Sequence, residues 1–289
     1  MYPVLKLRQG KEKNAEFRHP WIFSGALEGR PEDVPHGSLV SVADGSGRVV
    51  GTGTYSAKSS IAVRLFEFGD AVIDGPWIGA RLAEADEKRR LLGYGPGTDT
   101  DGYRVVFGEV DGLPGLVVDR FGDVLVLQSS TAGMDALLEP TVGALKKLFK
   151  PKAIIERSDL SVRREEGLED AVGARHGAAP SRVAFSENGC DDLADVMAGQ
   201  KTGFFLDQKD LRRTVAKLAA GRSMLNLFSY TGAAGIAALK AGAASCHNVD
   251  SSQPALDLAL EQAALNGIKP KAMTVESADI FQYLGAASQ

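Results

Sequence analysis

The chain has 289 residues, of which 44% are hydrophobic and 24% charged, with a formal net charge of −4. That length suits two or three domains with buried cores, and the proportions are ordinary for a globular protein. They exclude a membrane helix, since no apolar run reaches ~18 residues, a signal peptide, since the opening MYPVLKLRQGKEK has no apolar h-region, and a cationic coat for nucleic acid. We read the protein as cytoplasmic, with no membrane partner. Two cysteines, Cys190 and Cys246, and four histidines make neither a disulfide framework nor a metal site, so no metal is expected.

In chain order, residues 4–8 alternate as a strand does, and 38–44, 48–55 and 60–68 follow as further strands. Asp44-Gly45-Ser46-Gly47 is a turn, and the glycines from Gly37 to Gly69 suit the tight corners of a small barrel or sandwich. Residues 77–92 place Ile78, Leu82, Ala85 and Leu92 on one helical face. A breaker-rich loop at 93–102 leads to three strands at 103–110, 115–121 and 123–130, which read as an antiparallel meander. A helix at 134–149 and a strand at 153–159 complete a small α+β unit. Residues 160–180 show no period and are expected to be a surface connection. A hairpin is predicted over 183–197, and a dense segment at 199–219 follows it. After these come strand 223–229, helix 233–242, strand 245–250, helix 252–267 and strand 272–279, which is half of an open α/β sheet.

The chemistry concentrates where the first of those strands runs into its helix, at Leu225-Asn226-Leu227-Phe228-Ser229-Tyr230-Thr231-Gly232. At the carboxyl end of a parallel strand the backbone must approach a ligand. Gly232 has no Cβ to obstruct it, and the helix start offers free N–H groups. Asp250 ends the second strand, where an acid in nucleotide-binding α/β folds accepts from ribose hydroxyls. The dinucleotide fingerprint is broken, because Tyr230 stands where its first glycine belongs. That disfavours a nicotinamide-dependent oxidoreductase and fits a ligand with ribose and adenine but no pyrophosphate, such as S-adenosylmethionine. Asp279, at the end of the third strand, either reaches the adenine amino group or caps the helix that follows.

The string Gln200-Lys201-Thr202-Gly203-Phe204-Phe205-Leu206-Asp207-Gln208-Lys209, followed by the Leu225–Gly232 turn, resembles the ribosomal RNA large subunit methyltransferase I family. Arg18-His19-Pro20-Trp21-Ile22-Phe23-Ser24-Gly25-Ala26 is similar to the opening of that family's PUA domain, a small RNA-binding barrel. Residues 108–120, GEVDGLPGLVVDR, are similar to its central α/β segment, and Glu187-Asn188-Gly189 to the lead-in to the Gln-Lys-Thr-Gly motif.

The resemblance implies an α/β protein with an N-terminal PUA-like β-barrel over 1–74 and a central small α+β domain over 75–180. A Rossmann-like class I methyltransferase domain would occupy 181–289. It implies S-adenosylmethionine as cofactor and formation of 5-methylcytosine in 23S rRNA. Gln200, Lys201, Thr202, Phe204 and Asp207 would line the cofactor pocket on one side, and Phe228, Tyr230, Gly232, Asp250 and Asp279 on the other. The adjacent Phe204 and Phe205 either cover the ligand or pack in the core, and Asp207 is placed to bond the methionine ammonium. Lys6, Arg8, Lys11 and Arg18 would position RNA, although from charge alone they also read as a solvated face.

Two departures from the family pattern stand out. Ser56-Ala57 replaces an Asn-Pro pair after Tyr55, which is expected to alter a barrel loop. The family's Asp-Pro-Pro motif and nucleophilic cysteine are not present in the 289 residues. Methylation at cytosine C5 needs a thiolate to attack C6. Cys246 lies in a predicted buried strand, and Cys190 precedes Asp191 and Asp192, whose charge disfavours a thiolate. We therefore expect the methyltransferase domain to be truncated after its third strand, with the nucleophile beyond Gln289. An unfinished sheet also makes a homodimer an expectation. The alternative reading is an RNA-binding protein whose cofactor-binding domain is catalytically incomplete.

Overall fold

The computed structural model describes residues 2–287, which form two compact units, one of 2–93 with Arg104–Pro180 and the other of Tyr94–Tyr103 with 181–287. The first unit opens with a five-stranded sheet in the order β1-β3-β4-β5-β2. Its strands are β1 (Val4–Lys6), β2 (Trp21–Phe23), β3 (Leu39–Ala43), β4 (Val49–Tyr55) and β5 (Ile61–Glu67), with the short helix α1 (Lys13–Glu16) between the first two. Alternation puts Leu5, Leu7, Ile22, Val40, Val42, Tyr55 and Val63 into one closed core. The Asp44 turn forms as predicted: the carboxylate accepts from the Ser46 and Arg48 N–H groups and from the Ser46 hydroxyl. Ser56 is more than a loop variant. Its hydroxyl donates to Glu166 Oε2 at 2.8 Å, while Ala57 N–H donates to His36, a bond that proline could not make.

The same unit carries α2 (Gly75–Leu91), capped by the Asp74 side chain on Trp77 N–H. Ile78, Leu82 and Ala85 are buried as predicted, but Leu92 is exposed. The helix ends at Leu91, and the chain turns away at Gly93 with φ +84°. Arg89 instead continues the inner face, with a bidentate pair to Asp111 at 2.5 and 2.7 Å. The second sheet runs β10-β9-β8-β7-β6. Its strands are β6 (Gly102–Phe107), β7 (Leu116–Phe121), β8 (Val124–Ser129), β9 (Ala153–Ser158) and β10 (Ala171–His176). The sequence pattern carries the first of these to residue 110, whereas Gly108–Asp111 is a 3-10 turn held by Asp111 accepting from Phe107 N–H. Helix 134–149 is two helices, α3 (Ala132–Ala136) and α4 (Leu138–Phe149), broken at Leu137.

The segment 160–180 is not an irregular connection. It forms α5 (Val162–Glu165) and β10, which pairs antiparallel with β9. Most side chains of β10 are exposed or half-buried, so backbone pairing forms it without leaving a hydrophobic alternation to read.

The second unit contains the predicted hairpin, β11 (Val183–Glu187) with β12 (Cys190–Ala194). Helices α6 (Lys209–Ala219), α7 (Ala233–Lys240), α8 (Gln253–Leu265) and α9 (Ile280–Ala287) accompany the parallel strands β13 (Ser223–Leu227), β14 (Ser245–Asp250) and β15 (Met273–Ser277). The strand order is β13-β14-β15, with β13 at one edge. Cys190, Ile236, Ala237, Ala259, Ala263 and Met273 form its core. Among the described residues no helix is long and apolar enough to cross a membrane.

Candidate cofactor site

All three parallel strands of the second unit end on the same side, and the turn after β13 is the tightest element there. Phe228 and Tyr230 adopt left-handed backbone at φ +53° and +48°, and Gly232 caps α7 at φ +72°. A Cβ on Gly232 would stand 2.9 Å from both Ala259 Cβ and Met273 Cε, so glycine is needed here for space as well as conformation. The two left-handed non-glycine residues are strained backbone that their partners must hold. Asp250 Oδ2 accepts from Tyr230 N–H at 2.8 Å, and its Oδ1 accepts from Ser252 N–H at 2.9 Å. Gln262, fully buried on α8, donates to Thr231 carbonyl at 2.6 Å and accepts from Leu193 N–H at 2.8 Å.

The segment between the hairpin and α6 reaches this turn. Tyr230 hydroxyl accepts from Gln200 N–H at 3.0 Å, and its ring meets Phe205 edge-on at 5.2 Å. Arg212 on α6 anchors the segment. It makes a bidentate pair with Glu187 at 2.6 and 2.9 Å, donates to Phe205 carbonyl at 2.9 Å, and lies 4.7 Å over the Phe204 ring. Both partners of that ion pair are almost fully buried.

Between segment and turn lies a cleft of about 480 Å³, whose walls include Gln200, Phe204, Phe228, Tyr230 and Asp250 among the residues the sequence singled out. The other predicted residues sit differently. Thr202 is fully buried. Lys201 Nζ pairs with Asp207 at 2.8 Å and sits 4.5 Å over the Phe205 ring, so Asp207 faces a lysine at the surface. Asp279 accepts from Phe281 and Gln282 N–H at 3.0 Å each, which is the helix-capping alternative for this residue. Phe204 is buried against Phe185 at 4.9 Å, the packing reading for this residue, and also borders the cleft.

Sequence reasoning missed Ser229, Gln208, Asn226 and Arg212, which also border the cleft. Ser229 Oγ is buried and makes no hydrogen bond among the described residues, a polar atom left for a ligand. Position in the Asn-Leu-Phe-Ser-Tyr turn was the available signal for Ser229. Arg212 lay hidden in an ordinary charged helix.

Both cysteines are buried, and burial pushes each thiol up to about 11, aided at Cys190 by the charge of Asp192. Neither supplies a thiolate near neutral pH. The basic residues of the first unit, Lys6, Arg8, Lys11 and Arg18, are all exposed around β1 and α1. Arg8 also donates to Leu27 carbonyl at 2.7 Å, and Arg18 lies 5.6 Å over the Phe68 ring.

The cleft fits a nucleoside without a pyrophosphate. Each Asp250 oxygen keeps a free lone pair for a ribose hydroxyl, Ser229 offers a polar contact, and aromatic walls cover a ring. Comparison with known proteins agrees. A PUA-like domain model matches residues 5–68, and an S-adenosylmethionine-dependent methyltransferase model matches 170–288. A ribosomal RNA large subunit methyltransferase I from Shewanella amazonensis is 41% identical over 282 residues, covering 97% of this chain and 71% of that protein. The protein of the same name from Klebsiella pneumoniae strain 342 is 38% identical over 286 residues, covering 98% of this chain and 71% of its own. A solved structure described as a SAM-dependent methyltransferase from Streptococcus mutans superposes with TM-score 0.82 at 21% identity, covering 99% of this chain and 73% of that one. Another, solved in complex with SAH, gives TM-score 0.83 at 22% identity, covering 99% and 72%. The cofactor is S-adenosylmethionine, and the chain belongs to the ribosomal RNA large subunit methyltransferase I family.

Proposed function

We propose that the protein transfers a methyl group from S-adenosylmethionine to C5 of a cytosine in 23S rRNA. One observation carries the cofactor half of this reading: the Gln200–Phe205 segment and the Phe228–Tyr230 turn close on one cleft, with Asp250 at the strand end and Ser229 Oγ buried without a partner among the described residues. The bound cofactor supplies an electrophilic methyl. Asp250 is assigned to the ribose hydroxyls, Phe204, Phe228 and Tyr230 to the adenine and its surroundings, and Gln200 and Ser229 to polar contacts. Thr202 and Gly232 shape the walls from behind. Lys201 and Asp207, which pair with each other at the surface, are assigned to the methionine end, where Asp207 would exchange the lysine for the ligand ammonium, and Asp279, which caps α9, is assigned to the adenine amino group.

For the RNA half, the PUA-like barrel presents Lys6, Arg8, Lys11 and Arg18 as an exposed basic strip for phosphate contacts. The relatives at 41% and 38% identity are named for large-subunit rRNA, and this reading brings that substrate to the present chain. C5 chemistry needs a thiolate, and with Cys190 and Cys246 both held as buried thiols, neither is assigned as the nucleophile. The same observation favours a second reading, RNA binding with cofactor binding but no turnover. The work belongs in the cytoplasm with the ribosomal substrate. Exposed Leu225 and Phe228 beside the sheet edge at β13 favour self-association into a dimer, which sedimentation would detect.

Incubation with tritiated methyl donor and 23S rRNA, followed by nucleoside mass spectrometry, tests the assignment. Label in 5-methylcytosine supports it. Label in another nucleoside replaces the target, and RNA binding without label supports the second reading.

A further inference from the structure

A second concavity of about 450 Å³ lies in the same unit, between α6, α7 and the β11–β12 hairpin. Ala216 from one helix and Ala233 and Ala237 from the other give it small apolar walls, and Glu187, Asn188 and Cys190 of the hairpin border it as well. At its floor stands Asp192, 2% exposed, whose Oδ1 has no hydrogen-bond partner among the described residues. A buried acceptor left unfilled is destabilising, so the site calls for a donor. Nearby cations do not supply it. Arg212 is committed to Glu187 and Phe205, and Arg213 donates to Asp210 and Asn188. At the rim, Lys217 and Lys240 are exposed and make no ion pair among the described residues.

The groove therefore runs from a cationic rim, past small alanine side chains that leave room for a ring, to a buried acceptor. A ligand matching all three needs an anionic group, a flat body and N–H donors at the far edge. We propose that this groove is a second binding site, distinct from the cofactor cleft, which takes a nucleoside monophosphate with its base on Asp192 and its phosphate on Lys217 and Lys240. Guanine fits best, because its N1–H and exocyclic amine are adjacent donors that match the two oxygens of one carboxyl, whereas adenine offers only its amine. The volume suits one such unit. Its source is either a free nucleotide or a nucleotide of an RNA chain, and the chemistry is the same. Arg212 and Ala233 border both clefts, so the two sites share a wall.

Calorimetry on the whole chain saturated with S-adenosylhomocysteine tests this, using GMP as probe. Saturable binding is expected, at least ~10-fold tighter than AMP and than inorganic phosphate, as one lost charge-assisted contact implies. Asp192→Asn and Lys217→Ala/Lys240→Ala should each weaken it by a similar factor. The rim substitutions lie on exposed side chains, so their effect does not depend on the fold tolerating a buried change. A short RNA ending in guanosine phosphate, binding with the same sensitivity to Asp192→Asn, assigns the RNA source; GMP binding alone assigns the free nucleotide. Absence of saturation at millimolar GMP, equal binding of phosphate, or binding indifferent to Asp192→Asn would each overturn the proposal.

Discussion

Arg212 is the residue whose loss should be felt in both stability and cofactor binding. Its bidentate pair with Glu187 has side chains only 5% and 2% exposed, so removing one partner strands a charge away from water. Breaking such a buried pair from one side costs ~3–5 kcal/mol, whereas replacing both charges with apolar groups of similar volume is close to neutral. Arg212→Met also removes the donor to Phe205 carbonyl and the cation over Phe204, worth ~1–2 kcal/mol together. We therefore expect Arg212→Met to lose about 4–7 kcal/mol and Glu187→Met about 3–5 kcal/mol, with the double variant losing only ~1–2 kcal/mol. Urea denaturation of the four proteins gives the cycle. The double variant should recover its fold yet still bind S-adenosylhomocysteine ~10-fold more weakly, because Phe204 and Phe205 have lost their anchor. Additive single losses, within ~0.5 kcal/mol, would refute the claim that the pair acts as a unit. Unchanged cofactor affinity in the double variant would refute its link to the cleft.

Asp250→Ala should weaken S-adenosylhomocysteine ~10- to 150-fold in calorimetry, the loss of one or two hydrogen bonds to a charged acceptor. Gly232→Ala should cost about 2 kcal/mol in thermal unfolding, since φ +72° strains alanine and the new Cβ meets Ala259 and Met273. Burial, and then the charge of Glu187, push the Asp192 carboxyl from 3.8 up to about 7, with Asp191 adding to the shift and Arg212 and Lys240 opposing it. Between those values the folded state holds a proton that the unfolded chain has released, so stability falls as pH rises. Asp192→Asn should remove that slope and be the more stable protein at pH ~8, by at most about 4 kcal/mol, with little difference near pH ~4. Denaturation curves of parallel slope for the two proteins from pH 4 to 8 would contradict it. Combined Lys6→Ala, Lys11→Ala and Arg18→Ala should weaken RNA binding and flatten its dependence on log salt by up to ~2, at ~0.7 per lost phosphate contact.

The parallel strands and their turn were legible because short strand-like segments alternate with longer helical ones, although β13 itself is only half-buried or exposed, and the Tyr230–Gly232 turn carries its chemistry in sequence. Asp250 was legible for the same reason, since strand length fixes where β14 ends. What stayed hidden was held by backbone or by distance. β10 forms through pairing with β9, not through its own exposed side chains, and Leu92 is lost to a helix end that one glycine decides. Asp111 and Asp119 read as parts of a family-like string. In the fold they take the charges of Arg89 and Arg104, at 2.5 and 2.8 Å. Gln262 and Arg212 looked like ordinary helix residues because their partners lie 69 and 25 positions away, or 31 in the case of Thr231.

Those distant partners explain how a string such as Gln-Lys-Thr-Gly-Phe-Phe comes to face a strand end at all. The segment has no sheet of its own, and Lys201 and Gly203 hold left-handed backbone at φ +55° and +120°. Three bonds of different origin fix it: Tyr230 hydroxyl to Gln200, Arg212 to the Phe205 carbonyl, and the Glu187 end of the hairpin to Arg212. Gln262 then ties the other strand of that hairpin to the Thr231 carbonyl. The hairpin is thus a brace between segment and turn, and strain at Phe228 and Tyr230 is sustained by it. A ligand filling the cleft stabilises every member of this circuit at once, by RT ln(1 + [L]/Kd). Cofactor binding and the stability of the hairpin are for that reason one linked equilibrium.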